Sequence, residues 1–110
     1  MNSIIVRKDS AGRFCGYTSS GHAGLDEKGY DVACAGISAL TITAAMALQQ
    51  LTTLQPKIKQ NTRKVWLECN WINEPSQVEK SELIIQIMLL GLTEIRKQYP
   101  KHLSIQEVEV

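Results

Sequence analysis

No property of this 110-residue chain is strongly one-sided. Twelve basic residues against eleven acidic leave a formal charge of +1, which removes any bulk electrostatic case for nucleic-acid binding. Long hydrophobic runs are missing. The longest, LIIQIMLLGL, is broken by Gln86 and falls short of the roughly 18 residues a membrane span needs. The first ten residues, MNSIIVRKDS, carry only a brief apolar stretch with charge directly after it, unlike a secretory leader. A cytoplasmic protein without a membrane partner is therefore expected. Three cysteines are present, an odd number, and none forms a Cys-x-x-Cys pair. That argues against a disulfide framework and against a zinc site, so no metal and no other cofactor is expected. Internal repeats and low-complexity segments are also lacking. What remains is 44% apolar and 21% charged, the composition of an ordinary globular domain, and residues 1–110 are read as one domain.

The periodicities predict an α+β fold of order ββαβαβ, one small sheet with two long helices packed on it. Ser3–Arg7 and Arg13–Ser20 are β-prone, and the intervening Asp9–Gly12 has turn chemistry, so they read as a hairpin. Gly21–Tyr30, with three glycines, is read as a loop. A helix is expected from Asp31 to Leu54. Ile37, Leu40, Ala44, Leu48 and Leu51 recur along one side of it, and Ala35, Ala39, Ile42 and Met46 along another. The segment after Pro56 is read as a basic linker. Val65, Leu67, Cys69 and Trp71 alternate with polar neighbours as a half-buried strand does. Ser76 and Glu79 have capping-box spacing ahead of a second helix that stops at Pro100, and a last strand is expected within Leu103–Val110. Both helices are apolar on more than one side, for which a homodimer supplies the simplest second layer.

Within this frame Cys34 and His22 stand out. With Asp31 read as the N-cap, Cys34 falls in the opening turn of the first helix, where free amides and the helix dipole favour a thiolate. Gly21, Gly24 and Gly29 give the preceding loop freedom to fold back and bring His22 to the sulfur. A Cys–His dyad is one reading. The other is a small apolar residue packing a helix start beside an exposed loop histidine. Ser38, one turn after Cys34, either hydrogen-bonds near such a site or bonds back to its own helix. Cys69 is read as a core residue, Cys15 as structural, and His102 as a solvated surface residue. Asp26 and Glu27 are candidates to orient His22, or are solvated loop carboxylates.

Gly21-His22-Ala23 followed by Gly29-x-Asp31-x-x-Cys34-Ala35-x-x-Ser38 resembles the signature of the ribosomal-processing cysteine protease family, Prp, and the element order fits that family end to end. The resemblance implies a homodimeric cysteine endopeptidase that removes a short N-terminal extension from the twenty-seventh protein of the large ribosomal subunit. By position, Cys34 is the nucleophile and His22 its general base and acid, with Gly21, Asp31 and Ser38 in support. Residues 21–30 form the active-site loop, read as a mobile lid that orders around substrate. The expected chemistry is acyl transfer through a thioester, with amides of the Cys34 turn, together with Gly21, holding the oxyanion. Two rival readings remain. One is a non-catalytic ribosome-associated binding protein using Lys57, Lys59, Arg63 and Lys64; the other is a thiol redox sensor.

Overall fold

The structure, a computed structural model, describes residues 1–21, 30–61 and 65–110, and of Tyr30 and Asp31 the backbone alone. In chain order the elements are β1 (Asn2–Lys8), β2 (Phe14–Ser20), α1 (Tyr30–Leu51), β3 (Lys57–Asn61), β4 (Trp66–Asn70), α2 (Val78–Gln98) and β5 (Leu103–Glu109). They form one five-stranded sheet, in the order β3-β4-β2-β1-β5, with two helices. The expected α+β class is the observed one.

β1 and β2 form the hairpin. The Asp9 carboxylate accepts from the amides of Ala11 and Arg13 at 2.9 and 3.1 Å, which closes the turn in the way a short acidic side chain is suited to do. The Arg13 amide, followed by Asn73, holds that carboxyl below its usual range. β5 lies parallel to β1, in continuous register from Asn2 opposite Leu103 to Lys8 opposite Glu109. The parity change between Ile105 and Val108 is therefore no bulge: Val108 simply stands on the other face of the sheet, opposite Arg7.

Lys57–Asn61, read as linker, is a strand. It pairs antiparallel with β4 at the sheet edge. Its single apolar residue, Ile58, packs on the core while both lysines stay exposed, and lysine is a common guard on a free edge. The α2 start also differs from expectation. Gln77 occupies the cap position and no side chain caps the helix, so the Ser76–Glu79 box is not formed; Glu79 remains in the first turn, where its charge suits the dipole.

The core lies between the sheet and the helices. Ile4, Val6, Tyr17, Leu67 and Cys69 rise from the strands to meet Ile37, Leu48, Ile85, Met88 and Leu92. Two close approaches bring the helices together. A β-carbon on Gly91 would stand 2.8 Å from both δ-methyls of Leu40, and one on Gly36 would stand 2.9 Å from Ile95 Cδ1. By length and composition Val32–Leu51 would pass for a membrane span, with mean hydropathy 1.7. In this fold it is the long helix of the packed layer. Tyr17 ties it to the sheet by donating its hydroxyl to the Thr41 carbonyl at 2.6 Å.

Candidate active site

The site is built at the end of the sheet where β1 and β5 begin and β2 ends. Alternation along β1 places Asn2, Ile4 and Val6 on the helix side of the sheet. Ile4 and Val6 are core residues, and the third member of the row is a carboxamide that is 2% exposed. A buried amide must find partners, and Asn2 finds them in two elements. Its main-chain N–H donates to the His102 carbonyl at 2.8 Å. Its side-chain Nδ2 donates to that carbonyl at 3.3 Å and to Cys34 Sγ, also at 3.3 Å. The same sulfur lies 3.6 Å from Asn2 Oδ1.

Cys34 is half-buried. Ala33 and Ile37 turn fully into the core, and Cys34 stands about 60° further round the helix than Ile37, at the margin of the buried stripe. α1 starts at Tyr30, which corrects the expected cap: Asp31 is inside the helix, and the cap position falls outside the described residues. Cys34 is then the fifth helical residue. Its amide lies beyond the four N–H groups a helix start leaves open and belongs to the helical ladder. Gly21 is likewise engaged, its amide donating to the Val65 carbonyl at 2.9 Å. Neither of these two amides is open to an oxyanion.

Gly21 nevertheless sits in the site. A β-carbon there would lie 2.5 Å from Asn2 Oδ1 and 3.4 Å from a Val65 methyl, so the absence of a side chain is what lets β2 end against Asn2. Val65 takes up its position in a left-handed backbone conformation, φ 48°, at which a β-branched residue is strained. Ser38, one turn beyond Cys34 on the same helix face, lines a cleft of about 230 Å³. Thr41 and Ile42 continue its α1 wall, and Ser19, Asn61, Val65 and Trp66 come from the sheet. The cleft runs along α1 from Ser38, one turn past Cys34, and is open on one side to solvent.

The structure therefore joins Cys34, Gly21 and Ser38 in one region, whereas His22 and the rest of 22–29 lie outside the described residues, and Tyr30, read as the end of the loop, opens α1. His102 corrects the sequence reading: it is 8% exposed, its ring 6.3 Å from that of Tyr99, and its carbonyl anchors Asn2. Cys69 is fully buried as expected, and burial pushes its thiol up to about 11. Cys15 is half-buried, its thiol 3.6 Å from the Arg7 carbonyl. Among the described residues no three His, Cys, Asp or Glu side chains converge as a metal site would need. Asn2 went unnoticed in the sequence. Its signal was a polar residue on the core parity of a strand.

The family model for "Cysteine protease Prp" matches residues 1–104. The ribosomal processing cysteine protease Prp of Bacillus subtilis (strain 168) is 26% identical over 107 residues, covering 96% of each chain. Its namesake in Staphylococcus aureus (strain NCTC 8325 / PS 47) is 25% identical over 105 residues, covering 96% of this chain and 97% of the relative. Among solved structures, the S. aureus protease in complex with a substrate peptide superposes with a TM-score of 0.87 at 23% identity, covering 98% of this chain and all of that one. The same protease with a covalently linked product peptide gives 0.82 at 24% identity, with the same coverage.

Proposed function

The chain belongs to the cysteine protease Prp family, and from that membership and the setting of Cys34 we propose that it removes the short N-terminal extension of a large-subunit ribosomal protein, the twenty-seventh. The observation that carries this is a half-buried thiol, held by a buried carboxamide, one helical turn from the Ser38 end of a cleft, in a family of thiol peptidases. A peptide lying along α1 would pass the sulfur and then Ser38 and Thr41.

Cys34 is the nucleophile and His22 the base in this reading. His22 takes the thiol proton, and the sulfur attacks the scissile carbonyl to form a tetrahedral adduct. Collapse of that adduct breaks the C–N bond as His22 returns the proton to the leaving amine. A thioester remains, and water activated by His22 hydrolyses it to free acid and thiol. Acid–base assistance of this kind is worth about 10²–10⁴-fold. Substrate, residues 21–30 as a lid, cytoplasmic location and a homodimer go together in the proposal. The second copy would cover the apolar flank of α1, where Ile42 and Met46 are 37% and 48% exposed.

The rival readings have less to stand on. Lys57 and Lys59 already have a structural use on the edge strand, and Cys69, sealed in the core, is no resolving partner for a redox switch. The test is incubation of the pure protein with the extended ribosomal substrate, followed by mass, alongside Cys34→Ala and His22→Ala. A single cleavage lost in both variants is the expected result. Cleavage that survives Cys34→Ala, or none by folded wild-type protein, would sink the proposal.

A further inference from the structure

We infer that Asn2 is a further catalytic residue, its side-chain amide holding the Cys34 sulfur through both of its protonation states. The inference rests on Cys34 being the nucleophile and goes beyond the dyad. A carbonyl oxygen can only accept, so the contact with the His102 carbonyl fixes which end of the carboxamide is nitrogen. Nδ2 then spends one hydrogen on His102 and aims the other at Sγ, 3.3 Å away, while Oδ1 lies 3.6 Å from the same sulfur. In the neutral state the S–H donates to Oδ1. When the proton leaves for His22, the sulfur becomes the acceptor and Nδ2–H the donor, with no movement of Asn2. Hydrogen bonds to a charged partner are the stronger kind, so the contact favours the form that attacks.

The surroundings hold the carboxamide in that pose. Asn2 is 2% exposed, its backbone amide is bound to His102, and Gly21 leaves room for Oδ1 and for nothing larger. One buried side chain thus touches the nucleophile, the residue before the proposed base and the segment leading into β5. The titratable residues nearest by chain position are Asp31 on the same helix, His22 after β2 and His102 before β5. All three stay unchanged in the test below.

The experiment reads the thiol without substrate. Purified wild type, Asn2→Leu and Asn2→Asp, matched for circular dichroism, are alkylated with iodoacetamide across pH, and the Cys34 peptide is followed by mass. Both variants should react on the order of tenfold more slowly at neutral pH, their profiles displaced to higher pH and Asp displaced further, because a carboxylate repels the thiolate. In wild type itself the Asn2 side-chain amide resonances should follow the Cys34 titration and stop doing so in Cys34→Ala. Unchanged alkylation in the folded variants, or Asn2 resonances indifferent to Cys34, would overturn the inference. Because neither readout needs turnover, the two failures are distinguishable: an Asn2-dependent thiol in a protein that cleaves nothing would sink the protease proposal and the catalytic role with it, whereas a working protease whose thiol ignores Asn2 would sink this inference alone.

Discussion

Replacing Gly21 by alanine would put a methyl group 2.5 Å from Asn2 Oδ1, well inside contact distance, and both neighbours are too confined to give way easily. Overpacking of this sort costs about 1–3 kcal/mol. Gly21→Ala should therefore lower the urea midpoint and slow Cys34 alkylation, although residue 21 never touches the sulfur. In Gly21→Ala with Asn2→Ala the clash is gone, so the stability losses should be clearly less than additive; strict additivity would mean that the two residues do not meet. Cys69 offers a pH test. Burial pushes its thiol from 9.0 to about 11, so between those values the unfolded chain has released a proton that the folded one keeps. Stability is then full below pH 9 and falls as pH rises towards 11, by about 2–3 kcal/mol in all. Urea unfolding of Cys69→Ala should show a shallower decline between pH 9 and 10, above which Tyr17, also raised by burial, adds its own.

Secondary-structure elements reveal where local pattern sufficed and where it failed. The β4 alternation and the Asp9 turn were plain in the sequence because each is decided by neighbours one to four residues away. β3 was not, since KIKQN has one apolar side chain and the strand exists only because the β4 edge receives it. Its lysines then predict a consequence. Lys57→Val with Lys59→Val should leave the fold intact but promote association through the bare edge, visible as rising light scattering with concentration. At the helix pair, Gly91→Ala carries a helix-propensity gain of about 0.8–1.0 kcal/mol against a methyl 2.8 Å from Leu40. We expect the clash to win, lowering stability by about 1 kcal/mol. Adding Leu40→Ala should erase that specific penalty, as a double-mutant cycle by urea unfolding would show.

At the scale of the molecule, the second apolar stripe of α1 finds no cover within one copy. Ile42 and Met46 remain exposed, and on α2 Leu83, Ile87 and Leu90 are 57–70% exposed. That is the physical ground for the proposed homodimer: large side chains on two helices, all facing water. Sedimentation should show a dimer at micromolar concentration, with Met46→Glu and Ile87→Glu together giving a monomer of unchanged helical content. A wild type that sediments as a monomer throughout would remove the dimer and leave the monomeric site as described.

By itself the sequence determined the two helices, the hairpin, the buried face of β4, and the placing of Ser38 one turn after Cys34. Each follows from a period, a turn or a short spacing that the chain carries locally. Tertiary structure decided the rest. Asn2 and Cys34 stand 32 positions apart and Asn2 and His102 stand 100 apart; no local pattern encodes such pairs. They meet because β5 joins β1 in parallel from Leu103 onward, which delivers the His102 carbonyl to the first residue of β1. Burial at that sheet end then turns a polar residue on a strand's core face into a partner for the thiol.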